Sequence, residues 1–458
     1  MAEAVAAGPG AAFDVVGDAL AQLCERLGQV DEGEVASYIP ALASADPKDV
    51  GLALVSMDGH AYHAGCSSHR FTMQSVSKPF VYALVLAEFG LAEVSRWVGA
   101  EPSGEPFNAI SLEKSTGRPA NPMINAGAIA TTALVPGANP AERFEWVLDG
   151  LSRFAGRRLD LDEEVYRSEA ATSDRNRALA YLLRAAGTLE LDPSDAVDTY
   201  FKQCSIRADA VDLAIMAATL ANGGVNPVTG QAVVSERVAV QVLSVMATCG
   251  MYDAAGEWVL RVGLPAKSGV SGALVAASPA RFGIAAYSPP LDKSGNPVRA
   301  VLALREISER FGLHMLHRPR HGAPTITELT TAAATPSSRP RRAEEVTALQ
   351  RGSQRIVVVA AQGGLDFSAA ERIIYAVRDL APDEPGWIIL DLERVTRLDP
   401  SAEAMLNAVA ARLVDAGHVI AVVGTMWRPD GASAYPSRDA ALAACEDGLL
   451  ASLAGSAE

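Results

Sequence analysis

The stretch Phe71-Thr-Met-Gln-Ser-Val-Ser-Lys-Pro-Phe80 places a serine and a lysine three residues apart inside an apolar run. A helical segment from Gln74 to Lys78 would bring Ser75 and Lys78 onto one face, one turn apart, so that the lysine amine could reach the serine hydroxyl. The spacing therefore predicts a serine that has its own base. By itself, such a pair also fits two polar residues on an exposed helix surface.

The composition is that of an ordinary globular protein. The chain has 458 residues, of which 49% are hydrophobic and 20% charged, and this length allows two or three domains with their own cores. A net charge of −15 argues against a nucleic-acid-binding surface. The five cysteines form no CxxC pair, which predicts reduced thiols and a cytoplasmic protein. We expect neither a signal peptide nor a membrane span.

Hydrophobic patterns predict the order of elements over the first three hundred residues. An amphipathic helix is expected at 13–28, and Asp58-Gly59 predicts the turn of a hairpin. The pattern is helical from about 79 to 248, and strands are predicted at 281–287 and 298–304. Strands at both ends with helices between them predict one sheet that is assembled from distant segments.

The composition changes after about residue 316. The segment 317–350 is rich in Pro, Thr, Ala, Ser and Arg and is predicted to be a linker. Alternating strand and helix patterns over 351–458 predict a small α/β domain. Residues 1–12, mostly alanine and glycine, are predicted to be disordered, which leaves 13–316 as the first domain.

The positions of the histidines restrict the chemistry of a serine nucleophile. Three of the seven precede Ser75 and none occurs from 70 to 313, so a serine–histidine–aspartate triad would need one of the early three. No nucleotide-binding motif follows a predicted strand, and we expect no cofactor and no metal site. Lysine is then the base available to Ser75, if burial or a second cation lowers its pKa. Lys267, in Lys267-Ser-Gly269, is a candidate for that cation.

The Lys-Ser-Gly motif follows the plan of serine–lysine acyl-transfer enzymes of the penicillin-recognising superfamily, which place such a strand beside the nucleophile helix. Over about residues 13–315 the sequence resembles the serine-dependent β-lactamase-related glutaminases. The runs that carry the resemblance are Tyr38-Ile-Pro40, Gln74-Ser-Val-Ser-Lys-Pro79, Asn121-Pro-Met-Ile-Asn-Ala-Gly-Ala-Ile129, Ser168-Glu169, Ser173-Asp-Arg-Asn176, Tyr200-Phe-Lys-Gln-Cys-Ser205, Leu220-Ala-Asn-Gly-Gly224, Cys249-Gly-Met-Tyr-Asp253, Gly263-Leu-Pro-Ala-Lys-Ser-Gly-Val270 and Ser288-Pro-Pro-Leu-Asp-Lys293. The resemblance implies a β-lactamase-like α/β domain, with an antiparallel sheet and a helical subdomain.

The resemblance also implies hydrolysis of L-glutamine to L-glutamate and ammonia. Ser75 would attack the side-chain amide carbon while Lys78 takes its proton, and the backbone amides of Ser75 and Val270 would hold the oxyanion. Tyr252 would relay a proton to the leaving amine or activate water.

The substrate-binding set that the resemblance implies is Tyr38, Ser75, Asn125, Glu169, Asn176, Tyr200, Tyr252 and Val270. Glu169 would bind the α-ammonium, Asn125, Asn176 and Tyr200 would bind the α-carboxylate and the amide, and Tyr38 would close the rim. Without the resemblance, the asparagines are interpreted as turn or cap residues, the tyrosines as core residues and the glutamate as a surface carboxylate.

The C-terminal unit resembles a STAS domain, the fold of anti-sigma-factor antagonists and of anion-transporter cytoplasmic tails. The strand Trp387-Ile-Ile-Leu-Asp-Leu392 and the run Leu398-Asp-Pro-Ser-Ala402 carry this resemblance. Pro400 stands where antagonists have a phosphorylated serine; it cannot be phosphorylated and suits a first helical turn, and Ser401 is the nearest hydroxyl. Phospho-regulation, assembly and a protein partner all stay open for this unit.

Two functional hypotheses follow. One is an amidohydrolase with an appended regulatory or assembly module, and the other is a regulatory protein whose glutaminase-like domain senses an amino acid without turnover. Ser75, Lys78 and Tyr252 favour the first, because a sensor needs no nucleophile with its base. Penicillin hydrolysis is disfavoured, because the runs around Glu169 and Asn176 match amino-acid recognition. The resemblance also implies a homo-oligomer, a dimer or a tetramer.

Overall fold

The computed structural model describes residues 15–103, 112–113, 115–316, 324–380 and 385–455. The chain divides into two compact units, Met1–His317 and Arg318–Glu458. The N-terminal segment 1–12, predicted to be disordered, lies outside the described residues.

Helices and strands of the first unit follow one another in an order that brings both ends of the unit into one sheet. In chain order they are α1 (Val15–Leu27), β1 (Gly51–Ser56), β2 (Ala61–Gly65), β3 (Phe71–Thr72), α2 (Lys78–Val94), α3 (Asn125–Ala133), α4 (Pro140–Ala155), β4 (Asp160–Leu161), α5 (Glu163–Thr172), α6 (Asp174–Ala185), α7 (Pro193–Cys204), β5 (Ile206–Ala208), α8 (Ala210–Ala221), α9 (Glu236–Cys249), α10 (Ala255–Arg261), β6 (Ala266–Ser268), β7 (Ala273–Ser278), β8 (Phe282–Tyr287) and α11 (Val298–Phe311). The five strands of the main sheet have the spatial order β2-β1-β8-β7-β6, and all neighbours are antiparallel. A second, three-stranded sheet has the order β3-β5-β4.

Side chains alternate between the two faces of the main sheet, as a strand period of two requires. On one face Ala53, Val55 and Ala285 pack with α2, α8 and α9. On the other face Leu52 and Ile284 pack with α1, α10 and α11. The sheet is therefore covered by helices on both sides, and the expected assembly of one sheet from the two ends of the unit is confirmed.

The strand predicted at 298–304 is wrong, because this segment begins helix α11. Its buried residues include Ala300, Ala303, Leu304 and Ile307, which recur at intervals of three and four. This is the spacing of one helix face, and a window of seven residues was too short to separate it from a buried strand.

The second unit has alternating strands and helices. They are β9 (Ile326–Thr331), α12 (Ala343–Gly352), β10 (Ile356–Leu365), α13 (Phe367–Leu380), β11 (Trp387–Leu398), α14 (Pro400–Asp415), β12 (Val419–Val423), β13 (Ser433–Tyr435) and α15 (Arg438–Gly455). The sheet order is β13-β12-β11-β10-β9, parallel except for the antiparallel edge strand β9. Helices α13 and α14 cover one face, and α12 and α15 cover the other.

The prediction of a linker over 317–350 needs correction. Strand β9 and most of α12 fall within it, and Thr331 pairs with Val357 of β10. Strand β9 has the sequence ITELTT and none of its residues is buried, so its composition resembles that of a polar loop. An edge strand pairs through its backbone, which composition does not reveal.

Helix α2, with the turn before it, is long and apolar enough to be tested as a membrane span. The stretch Gln74–Val94 has 21 residues, and an 18-residue window within it has a mean hydropathy of 1.3 and is 67% buried. The bent pair Glu236–Cys249 and Tyr252–Arg261 also passes by length and composition. Buried side chains such as Phe80 pack in the core of the unit, and a core helix passes the same test.

Candidate active site

Ser75 lies in a single 3₁₀ turn, Gln74–Ser77, which leads directly into α2. The helical segment predicted from Gln74 to Lys78 is therefore present, as this 3₁₀ turn followed by the first residue of α2. Gln74 has φ 49°, in the left-handed region that side chains disfavour, and Ser77 Oγ donates to Gln74 O at 2.7 Å. Strained backbone of this kind is concentrated at functional sites. Ser75 is 8% exposed, and its hydroxyl is hydrogen-bonded to that of Tyr252.

Lys78 is buried at the start of α2, and its amine donates to two oxygen atoms. Its Nζ donates to Asn125 Oδ1 at 2.7 Å and to the backbone oxygen of Met123 at 3.2 Å. Burial lowers the pKa of Lys78 to about 8, although the carboxyl of Glu169 acts in the opposite direction. An amine with this pKa is partly neutral near neutral pH, as a general base must be.

Asn125 connects three helices at the inner end of the site. It is the first residue of α3, and its Nδ2 donates to Asn176 Oδ1 in the first turn of α6 at 3.0 Å. The hydroxyl of Tyr200, in α7, approaches Asn125 Oδ1 at 3.4 Å. Burial raises the pKa of Tyr200 well above its ordinary value, so it remains a phenol. The three side chains form one polar surface.

Glu169 is a buried carboxyl in α5, with 4% of the residue exposed. Gln74 Nε2 donates to its Oε2 at 3.3 Å. Burial raises the pKa of Glu169 to about 7, and the hydrogen bond from Gln74 and the charge of Lys78 only partly offset this rise. A buried carboxylate is stabilised by an opposite charge, so this position suits the binding of a cationic group.

Strand β6 brings a second buried lysine to the site. Lys267 is fully buried, and its Nζ donates to Tyr252 Oη at 2.7 Å and to Ser268 O at 2.6 Å. Burial, together with the charge of Lys78, lowers the pKa of Lys267 well below its ordinary value. Burial raises the pKa of Tyr252. Lys267, predicted from the sequence to be a second cation, thus lies next to Tyr252 at the site. Its burial disfavours the charged form.

A glycine lets strand β6 and its turn approach the Ser75 segment. A Cβ at Gly269 would lie 3.1 Å from Met73 O and 3.2 Å from Val76 Cγ1, both in the segment that carries Ser75. Such contacts are tighter than side chains normally make, so glycine allows the close approach. Val270, the next residue, lines the cavity at Ser75.

These groups surround one cavity of about 340 Å³, within the size range of small-molecule sites. Its lining residues are Tyr38, Gln74, Ser75, Asn125, Glu169, Thr172, Ser173, Arg175, Asn176, Tyr200 and Val270. Tyr38 is 56% exposed at the rim. Lys78 and Tyr252 reach the cavity through Asn125 and Ser75, so all nine site residues expected from the sequence lie together.

The sequence predicted no role for four of the residues that line the cavity: Gln74, Thr172, Ser173 and Arg175. It also did not predict the hydrogen bond that Lys267 donates to Tyr252. Gln74, Ser173, Arg175 and Lys267 lie inside the runs that carried the family resemblance. Their position beside assigned residues was an available signal. Among the described residues no group of three or more His, Cys, Asp or Glu side chains is placed to hold a metal ion.

The fold and the cavity define an enzyme of mixed α/β class, with an antiparallel sheet between helices and a strained serine turn at the cavity. The family model named Glutaminase matches residues 33–316, more than half of the chain. The chain therefore belongs to the glutaminase family, and its assignment as an enzyme of that family is confirmed.

Relatives and solved structures agree with this assignment. The chain is 47% identical over 365 residues to Glutaminase 1 of Bradyrhizobium diazoefficiens, covering 80% of this chain and 59% of that protein, so it spans less than two thirds of that relative. It is 45% identical over 393 residues to a glutaminase of Corynebacterium efficiens, covering 85% and 88%. A crystal structure of a protein named Mglu superposes with TM-score 0.78 at 40% identity, over 91% of this chain and 99% of that one. Another, of Mglu in its glutamate form, has TM-score 0.78 at 38% identity, covering 89% and 98%.

Proposed function

We propose that this protein hydrolyses the side-chain amide of L-glutamine to L-glutamate and ammonia, through a glutamyl ester on Ser75 with Lys78 as base. The observation that carries the proposal is Lys78, a buried amine one turn from Ser75 whose pKa is lowered to about 8, at a cavity that also contains the buried carboxyl of Glu169. The glutaminase names of the relatives and the glutamate form of Mglu support it.

In the first half of the proposed reaction, Ser75 Oγ attacks the amide carbon and its proton passes to Lys78 Nζ. The backbone amides of Ser75 and Val270 hold the oxyanion, since both residues line the cavity and Gly269, the neighbour of Val270, packs closely against the segment that carries Ser75. Tyr252 donates its hydroxyl proton to the departing nitrogen, so that ammonia rather than an amide anion leaves.

In the second half, a water molecule attacks the glutamyl ester. Its proton passes to the Tyr252 phenolate, and the Ser75 oxygen recovers its proton from Lys78 as the ester bond breaks. The enzyme returns to its starting protonation state, and the products are glutamate and ammonia.

Recognition of glutamine is assigned to the polar walls of the cavity. The carboxylate of Glu169 binds the α-ammonium of glutamine. The positive charge of the ammonium favours the ionised form of Glu169. Asn125, Asn176 and Tyr200 bind the α-carboxylate and the amide through the hydrogen-bonding groups that already connect them. Tyr38 closes the rim over the bound amino acid.

Ammonia release from glutamine by the purified wild type and by Ser75→Ala tests the reaction. We expect turnover in the wild type and a loss of at least about 10³-fold in the variant, the scale seen when an activated nucleophile is removed. Equal turnover in the two would contradict the assignment of Ser75. No turnover in either, with glutamine binding retained in calorimetry, would favour the amino-acid sensor.

For the second unit we propose a STAS-like module with a role in regulation or assembly, with a protein partner or a second copy of the chain as its target. The alternation of strands and helices and the start of α14 at Pro400, with Asp399 before it, support this. The side chain of Ser401 lies outside what the structure describes. Light scattering and turnover of the full chain and of a chain ending at residue 316 test the role. An identical assembly state and identical kinetics would contradict it.

We also propose that the protein forms homo-oligomers and acts in the cytoplasm. The five cysteines are free thiols, which fits a reducing compartment. Recovery of the enzyme in an oxidising compartment after cell fractionation would contradict the location, and a monomeric mass at micromolar concentration would contradict the assembly.

A further inference from the structure

Three buried side chains form a chain of hydrogen bonds that ends on the backbone oxygen of Gln74, in the turn that carries Ser75. Thr132 Oγ1, in α3, donates to Gln203 Oε1 at 2.8 Å. Gln203 Nε2, in α7, donates to Ser77 Oγ at 3.0 Å, and Ser77 Oγ donates to Gln74 O at 2.7 Å. The hydrogen bonds therefore connect two helices of the unit to the serine turn.

The direction of each of these hydrogen bonds follows from the last one. A backbone oxygen only accepts, so the single hydroxyl proton of Ser77 points at Gln74 O. Ser77 Oγ then accepts from Gln203, which requires the NH₂ group of that amide and leaves the amide oxygen to accept from Thr132. One orientation of the Gln203 amide thus satisfies all three bonds.

Burial makes this arrangement unfavourable to lose. Ser77 and Thr132 are 0% exposed and Gln203 is 1% exposed, so a missing partner is not replaced by solvent. The turn needs such support, because Gln74 has φ 49°, a left-handed conformation that residues with a side chain disfavour. The side chain of Gln74 is held as well, since its Nε2 donates to Glu169 Oε2 at 3.3 Å.

We infer that Ser77 and Gln203 are positioning residues for the proposed reaction: they hold the left-handed turn at Gln74 and, with it, the position of Ser75 Oγ. The inference rests on the proposed attack by Ser75. Neither positioning residue is among the described residues that line the cavity. When Gln74 O loses its donor, the turn relaxes toward ordinary dihedral angles and Ser75 Oγ moves away from the amide carbon. The loss therefore falls on kcat more than on KM.

Ser77→Ala removes both hydrogen bonds of Ser77. We expect kcat for glutamine to fall by about 10²-fold with KM changed less than about threefold, because a small displacement of a reacting group reduces the rate by this much. Ser152→Ala is the matched control, since Ser152 is also buried, donates to Leu148 O at 2.6 Å and accepts from Leu159 N at 3.1 Å. The control should lower the melting temperature by a similar amount and keep the wild-type kcat.

Gln203→Glu tests the direction of the hydrogen bonds through its pH profile. The protonated carboxyl has the shape of the amide and its O–H donates to Ser77, so kcat should approach the wild-type value at low pH. The ionised carboxylate only accepts and takes the Ser77 proton away from Gln74 O. The ratio of kcat in the variant to kcat in the wild type should therefore fall by at least about tenfold from pH 6 to pH 10.

Two comparisons isolate the new carboxyl. Lys78 and Glu169 titrate in both proteins, so the ratio of the two kcat values removes their contribution. A carboxylate that only raised the pKa of Lys78 would lower the ratio at intermediate pH and restore it at high pH. Gln203→Met has no group that titrates at this position and should lower kcat by the same factor at every pH. It also serves as the test of the inference if Ser77→Ala does not fold.

The outcomes are distinct. Equal kcat in Ser77→Ala and Ser152→Ala would overturn the positioning role and indicate a structural serine. A ratio in Gln203→Glu that does not change with pH, or that recovers at high pH, would also overturn it. Retained turnover in Ser75→Ala would instead reject the proposed reaction, whatever the variants of Ser77 and Gln203 show.

Discussion

Lys78 Nζ donates to Asn125 Oδ1 at 2.7 Å, a contact that joins the start of α2 to the start of α3. The amide oxygen is a neutral acceptor, so it stabilises a proton on Lys78 less than a carboxylate would. Burial lowers the pKa of Lys78 from its ordinary value of 10.5 to about 8, and a neutral amide at this position does not reverse that shift as a carboxylate would.

Asn125→Asp should move the pH dependence of the reaction. A carboxylate beside the buried amine favours the charged lysine, raises the pKa of Lys78 and shifts the acidic limb of kcat/KM to higher pH, by about one unit or more. Initial rates of ammonia release from pH 6 to pH 10 measure this. Asn139→Asp, at the exposed N-cap of α4, should leave the profile unchanged. An unshifted limb in Asn125→Asp would show that Lys78 does not control it.

Glu169→Gln should stabilise the glutamine-free protein while abolishing its affinity for glutamine. Burial raises the pKa of this carboxyl from 4.5 to about 7, so its ionisation opposes folding. This loss in the free energy of unfolding is absent below pH 4.5, grows as the pH rises, and reaches about 3 kcal/mol above pH 7.

Thermal unfolding without glutamine at pH 5 and pH 8 checks the sign of this effect. The variant should melt several degrees higher than the wild type at pH 8, and the difference should nearly vanish at pH 5, where Glu169 is already protonated. A difference that is the same at both pH values would rule out ionisation of Glu169 as its cause.

Gly269→Ala should reduce activity more than stability. The new Cβ would meet Met73 O at 3.1 Å and Val76 Cγ1 at 3.2 Å, which pushes the Val270 turn away from Ser75. A shift of this kind in an oxyanion donor reduces kcat by about 10²-fold. Steady-state kinetics with glutamine give the measurement.

Gly256→Ala is the matched control for this substitution, because its Cβ would meet nothing within 4 Å in helix α10. It should be neutral or slightly stabilising, since alanine favours a helix over glycine. Equal kcat for the two alanine variants would contradict the close-approach role of Gly269.

Glu446→Ala should destabilise the second unit. This carboxylate is 2% exposed and accepts from Ser337 N at 2.8 Å, from Ser337 Oγ at 2.5 Å and from Arg341 Nη2 at 3.0 Å. Removing one partner of a buried pair costs about 3–5 kcal/mol.

Hydrogen exchange should then rise in the segment 332–342 and in α15. Arg378→Ala breaks an exposed ion pair with Asp379 and serves as the control, with a change below about 1 kcal/mol. Unchanged exchange in Glu446→Ala would show that the segment is held by its other contacts.

Local patterns predicted much of the fold and failed where local signals are ambiguous. Helix α11 was predicted as a strand, because a short apolar run fits either a strand or a helix. The edge strand β9 was predicted as part of a linker, because an edge strand pairs through its backbone and its composition does not show this. The site residues were predicted only because a family resemblance linked distant runs. Spacing alone connects Ser75 to Lys78 but not to Tyr252 or Lys267.

The sequence by itself determined which chemical groups are available: a serine and a lysine one turn apart, no histidine from 70 to 313, and the family to which the chain belongs. Only the tertiary structure decided their protonation states and partners. Lys78 and Asn125 are 47 residues apart in the chain, and Lys267 acquires its low pKa from burial and from the charge of Lys78. A pKa depends on burial and on the charges nearby, and both are set by packing between elements that the chain order separates.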